Sequence, residues 1–307
     1  MDFDFFVQQV VNGVTLGSMY ALIALGYTMV YGILKLLNFA HGEVYMMGAF
    51  AGFGVMTVLG GPDDIIVPVG VMIALMFLGG MVTATLIAMG LERFAYRRLR
   101  DAPRIAPLIT ALGASFFLQS TALLLFGAQR RSYDSNEYID VQGGIHLGPL
   151  NVSPQRLMTI IGTAVLAVLL TQLVSRSKLG KAMRAVSFDR EAAAMMGIDV
   201  DRVIFATFAI GGILAGAAGV MFGLVYFSVF QLMGFTAGLK GFTAAVVGGI
   251  GSIPGALLGG LVIGLAESFS AAYISSTFQD LIVFSILIVV MLVRPTGLLG
   301  RADIKKV

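Results

Sequence analysis

No cysteine occurs among the 307 residues, and there are only two histidines, His41 and His146. The first absence removes disulfides and thiolate metal sites, and the second leaves a histidine-rich metal centre without support. Charge is scarce too. Asp, Glu, Lys and Arg make up 12% of the chain against 58% apolar residues, with a mean hydropathy of +0.92, whereas soluble domains are about 25% charged. The chain is an integral membrane protein. Its apolar runs approach or exceed the ~20 residues that a helix needs to cross hydrocarbon and lack the alternation of barrel strands. The fold class is therefore all-α, a polytopic transmembrane helical bundle. Catalytic signatures are missing as well. Gly180-Lys181 continues into Ala182 rather than Ser or Thr, and neither H-E-x-x-H nor G-x-S-x-G occurs. ATPase, intramembrane-protease and lipase chemistry thus have no candidate residues, and no catalytic or metal site is assigned. The N-terminal "MDFDFFVQQ" is acidic and lacks the basic stretch of a cleaved signal peptide, so the first apolar run reads as a retained helix.

The net charge of +3 says less than where the charges lie. Of 20 basic residues, five fall in 93–104, six in 176–202 and four from Arg294 onward, and Lys35 follows the first apolar run. The positive-inside rule puts these groups in the cytoplasm and the segment 128–155, with Asp134, Glu137 and Asp140, outside. Nine crossings satisfy those sides, at about 9–34, 42–59, 66–91, 105–127, 156–175, 202–230, 238–250, 255–274 and 279–293. The N-terminus is then external and the C-terminus cytoplasmic. At ~1.5 Å per residue, 238–250 covers only about two-thirds of a ~30 Å core, so it can be re-entrant and leave eight spans.

The chain also repeats itself. "GVTLGSMYALIALGYTMVYGILKLLNFAHGEVYMMGAFAG" aligns with "GGILAGAAGVMFGLVYFSVFQLMGFTAGLKGFTAAVVGGIG", matching Phe39 to Phe235 and Gly42 to Gly238. Each copy is a Gly-rich helix, a polar break and a shorter helix. Because the copies start from opposite sides, the expectation is an inverted repeat around a midplane path. Small-xxx-small pairs such as Gly13 and Gly17, Gly212 and Gly216, and Gly260 and Gly264 favour close helix packing.

Between the halves lies the segment 176–201, read as a cytoplasmic loop. Asp189 can cap a short helix over the helix-forming run Arg190-Glu191-Ala192-Ala193-Ala194-Met195-Met196, and Gly197 sits where a left-handed cap belongs. Arg184, Arg190 and Glu191 could orient that helix against a partner, and Met196 offers an adaptable apolar contact. An amphipathic helix lying on the bilayer surface fits the same residues.

The spacing of Glu191-Ala192-Ala193 and Gly197 resembles the coupling loop of ABC importer permeases. "RAVSFDREAAAMMGI", "NGVTLGSMYALIALGYTMVYGILKLLNFAHGEVYMMGAF" and "LKGFTAAVVGGIGSIPGALLGGLVIGLAES" are together similar to the LivH-type branched-chain amino-acid permeases across nearly the whole chain. The resemblance implies one permease domain, 1–307, in the bacterial inner membrane, with 176–201 coupling to the ATPases and 128–155 periplasmic. It implies a second homologous permease, two cytosolic ABC ATPases that bind the ATP and Mg²⁺, and a periplasmic substrate-binding protein. Beyond membrane lipid, no other partner is implied; there is no cofactor in this chain and no nucleic acid. Leucine, isoleucine and valine are the implied cargo, although similar permeases serve urea, short amides and other amino acids. A secondary transporter would share the repeat without needing the capped helix.

Ionisable groups within the spans usually face the protein interior. Glu43 and Lys240 fall close together in the repeat and could pair near its centre, or snorkel separately to opposite interfaces. Asn38 and His41 could satisfy carbonyls opened at the break or touch a passing zwitterion. Tyr20, Tyr27 and Tyr31 share one helix face that either lines a path or packs. Glu267 belongs to the outer half of its helix, facing the path or the surface.

Overall fold

The computed structural model describes residues 3–59, 67–100, 102–103, 105–133, 144–147 and 150–300. Asp134, Glu137, Asp140 and the basic residues after 300 lie outside that set. Eleven α-helices follow in order: α1 Phe3–Leu34, α2 His41–Val58, α3 Val69–Gly90, α4 Ile105–Phe126, α5 Pro154–Arg176, α6 Lys178–Phe188, α7 Arg190–Met195, α8 Val200–Tyr226, α9 Met233–Gly248, α10 Ile253–Tyr273 and α11 Gln279–Val293. Two short antiparallel ribbons are also present among the described residues. β1 (Arg131–Ser132) pairs with β4 (Ser228–Val229), Arg131 opposite Val229, and β2 (Ile145–Leu147) pairs with β3 (Leu150–Val152).

Among the described residues, seven helical stretches are long and apolar enough to cross a membrane. The two expected crossings that fall short are α2, with 18 residues, and α9, with 16. At ~1.5 Å per residue α9 is about 24 Å long, starting earlier than position 238 but still under the ~30 Å core. Helix α3 outruns its expected end, continuing through a π-helical turn at Leu91–Tyr96 and a 3₁₀ turn at Arg97–Leu99. The wider turn puts the fully buried Glu92 on the inner side as the basic run leaves the apolar layer.

The packing pattern is that of a repeat. α1 packs on α10 as α8 packs on α3; α2 packs on α3 as α9 on α10; α2 meets α8 as α9 meets α1; and α2 touches α4 as α9 touches α11. Exchanging α1–α4 with α8–α11 maps each of these contacts onto another, while α1·α8 and α2·α9 map onto themselves. The first helix of each half also ends the same way, on a residue with a Cβ in the left-handed region: Lys35 after α1 and Phe227 after α8, both at φ 54°. Gly42 and Gly238, matched in the alignment, meet where α2 crosses α9. A Cβ on Gly42 would lie 2.7 Å from the Gly238 Cα, so only glycine allows this crossing. The start of α7 bonds to the end of α1 through Arg190. Conversely, the end of α8 shares a cavity with the start of α1. α8 therefore runs opposite to α1, and the repeat is inverted.

The core sits on this axis. The most apolar stretch of α1 is 89% buried and that of α8 72%, against 6% for the stretch containing α11. The outer helices α3, α4, α5 and α11 turn apolar side chains such as Leu86, Leu124, Val168 and Leu292 outward, as lipid-facing or subunit-facing helices do.

Candidate functional site

Three groups of residues stand out along the bundle. At the break between α1 and α2, the Asn38 carbonyl accepts the His41 N–H at 3.0 Å and starts α2. Among the described residues, no hydrogen bond joins the Asn38 side chain to opened backbone. Its Oδ1 accepts from the Tyr96 hydroxyl at 2.6 Å, on the π-helical turn of α3. His41 is buried edge-on against Tyr27, ring centroids 5.0 Å apart. Its ring occupies a slot that exists because position 26 is glycine; a Cβ there would come within 2.1 Å of Nε2. Nε2 has no hydrogen-bond partner among the described residues. Glu43 turns to α4, where Oε1 accepts from Gln119 Nε2 at 2.8 Å and Ser115 Oγ at 3.1 Å.

Lys240 is elsewhere. Its Nζ lies 2.7 Å from Glu267 Oε1 on α10 and 2.7 Å from Asp280 Oδ1 at the start of α11. The Glu43–Lys240 pair does not form. Gly42 and Gly238 occupy the crossing on the axis, and the side chains beside it turn outward, Glu43 to α4 and Lys240 to α10 and to α11, the counterpart of α4. Tyr20 completes the second group by donating to Glu267 Oε2 at 2.9 Å. Tyr20, Lys240, Glu267 and Asp280 all line a cavity of about 710 Å³ at the end of the bundle that holds Arg130 and Arg156. Glu267 is buried in that wall, which removes the reading that places it on the surface.

The third group is at the opposite end. Ser177 caps α6 by accepting from Gly180 N at 2.9 Å. Asp189 caps α7, Oδ1 accepting from the N–H groups of Glu191 and Ala192 at 3.1 Å each. Gly197 closes it at φ 82°, with the Ile198 N–H donating to Ala193 O at 3.1 Å. The cap expected from the sequence is present at both ends. Ala193 packs inward, whereas Glu191, Ala192, Met195 and Met196 are exposed. Arg190 holds this helix, and Arg184 holds the preceding α6, to their own bundle. Arg190 Nη2 donates to Leu34 O at 2.9 Å and to Ile33 O at 3.3 Å, the free carbonyl end of α1, and Arg184 donates to Val174 O on α5.

A charged network that the sequence reading missed lies beside α7. Arg100 pairs with the buried Glu92 and with Asp201 in the first turn of α8, and Arg97 also pairs with Asp201. Burial lowers the Arg100 guanidinium below its ordinary value, and the adjacent Glu92 opposes that shift. Asp280, Ser115 and Gln119 were missed too. Their signals were an acid opening the last apolar run and two polar residues four apart on one helix face. Among the described residues no group of three or more metal-ligating side chains occurs.

The family described as branched-chain amino acid transport system / permease component matches residues 9–292. The high-affinity branched-chain amino acid transport system permease protein LivH of Escherichia coli K12 is 42% identical over 99% of this chain and 99% of its own. The protein of the same description called BraD, from Pseudomonas aeruginosa, is 42% identical over 98% of each chain. In the solved structure of PsaBC from Streptococcus pneumoniae in complex with Fab, one chain is 13% identical and superposes with a TM-score of 0.50, covering 96% of this chain and 94% of that one. This last likeness is one of fold alone.

Proposed function

The chain belongs to the branched-chain amino acid transport permease family, and from that premise we propose that it carries leucine, isoleucine and valine across the bacterial inner membrane. It does so as the permease subunit of an ATP-driven importer. The observation that carries this is the 42% identity to LivH and BraD over essentially full length. The proposed orientation follows the charges: the end with Arg97, Arg100, α6 and α7 is cytoplasmic, and the end with Arg130 and the 710 Å³ cavity is periplasmic.

In this reading the chain works with a second homologous permease, two cytosolic ATPases that hold the ATP and Mg²⁺, and a periplasmic binding protein. α7 is the coupling helix, offering Met195, Met196, Glu191 and Ala192 to an ATPase, while Asp189 and Gly197 keep it folded. Arg190 ties α7 to α1 of the first half, and Asp201 ties the start of α8 to α3. A push on α7 is therefore felt by both halves, and the packed α1·α8 and α2·α9 axis is the place where they can rock. Cargo enters through the cavity walled by Tyr20, Lys240 and Glu267. Asn38, His41, Tyr27 and Glu43 hold the break at the axis in shape beneath it.

Titration calorimetry on the cognate binding protein tests the cargo. Saturable heat with leucine, isoleucine or valine and none with urea or acetamide is expected; the reverse pattern would overturn the assignment.

A further inference from the structure

Lys240 Nζ stands 2.7 Å from one oxygen of Glu267 and 2.7 Å from one oxygen of Asp280. One ammonium is shared by two carboxylates, so neither acid has a cation of its own within this triad. Tyr20 donates to the other Glu267 oxygen at 2.9 Å but brings no charge. The two acids are unequally free. Glu267 is buried, whereas the Asp280 side chain is 56% exposed and lines the cavity. Arg130, stacked 4.4 Å from the centre of the Phe230 ring, and Arg156 line the same cavity. Its wall also includes Leu16, Phe222, Val225 and Met233. At about 710 Å³ it lies within the ~300–1,000 Å³ typical of small-molecule sites.

We infer that this cavity is a binding site for a zwitterion with an apolar side chain, whose ammonium docks on the exposed Asp280 carboxylate, which shares Lys240 with Glu267. Arg130 and Arg156 supply the cationic partners for the cargo carboxylate, and the aliphatic and aromatic wall takes its side chain. A neutral cargo such as urea or a short amide brings no ammonium for Asp280 and no carboxylate for Arg130 and Arg156, so the permease itself contributes to selection. The inference rests on the importer reading and deepens it.

Saturation-transfer NMR on the purified transporter complex, without binding protein, tests the site with L-leucine as probe. Leucinamide, which keeps the ammonium, should displace leucine; 4-methylpentanoate, which keeps the carboxylate and side chain only, should not. Asp280→Asn should weaken leucine binding at least tenfold, and Asp280→Glu should restore it. Because Asp280 is half-exposed and its replacement leaves Lys240 on Glu267, the variant complex should remain monodisperse. Equal displacement by 4-methylpentanoate, wild-type affinity in Asp280→Asn, or no saturable leucine signal in the wild type would each overturn the site. Leucine uptake by the wild type in proteoliposomes separates the two levels. If the wild type takes up leucine and Asp280→Asn binds it normally, the site alone is wrong; if the wild type takes up no branched-chain amino acid, the importer reading is wrong.

Discussion

Glu43 and Lys240 are nearly equivalent in the repeat and differ in what removing them should do. Glu43 accepts two neutral hydrogen bonds on a single oxygen, and glutamine at that position keeps an acceptor there. Glu43→Gln should therefore leave the thermal unfolding of the purified protein close to wild type. Lys240→Met strands the buried Glu267 without its cation, a loss of about 3–5 kcal/mol for a broken buried pair. Its unfolding midpoint should fall clearly below that of Glu43→Gln in the same detergent, and equal midpoints would refute the distinction. A swap that places Lys at 43 and Glu at 240 should rescue neither change. At this scale the sequence points to buried ionisable residues but not to whom they meet. Glu43, Lys240 and Glu267 stand out because ionisable groups are rare in apolar runs, and Tyr20 by its spacing from Tyr27 and Tyr31 on one helix face. Their partners depend on how α9 is rotated about the Gly42–Gly238 crossing, which no spacing along one chain reveals.

At the scale of elements, α7 was the most legible part of the molecule, since its signals are local. Asp189, the alanine run and Gly197 specify a start, a body and a stop within nine positions, and α7 follows them. Six helical residues have little cooperative stability of their own, so the cap matters. Asp189→Ala should cost about 1 kcal/mol, which corresponds to about fivefold faster hydrogen exchange of the Glu191 and Ala192 amides. Amides in the middle of α8 should be unaffected, and unchanged exchange at Glu191 would contradict the capping role. Longer elements were read well in existence and less well in extent. α3 runs on past its apolar stretch because Glu92, Arg97 and Arg100 find partners at its end. β1 and β4 went unforeseen, since two-residue strands leave no periodic trace and depend on Arg131 meeting Val229 from far along the chain.

For the whole molecule, the sparse charge makes the membrane bundle evident, and the matched Gly42 and Gly238 point to the inverted repeat. The rest of the symmetry, with α3 answering α10 and α4 answering α11, lies in packing alone. That architecture places a charged cavity at one end and the capped, tethered α7 at the other, with a shared axis between. Energy delivered at α7 by other subunits should therefore be obligatory for transport. The direct measurement is uptake of labelled leucine by proteoliposomes holding this chain with its partner permease, both ATPases and lumenal ATP, with liganded binding protein outside. Accumulation is expected only when ATP and binding protein are both present. Equal accumulation with ATP omitted, as in a secondary transporter, would contradict the account.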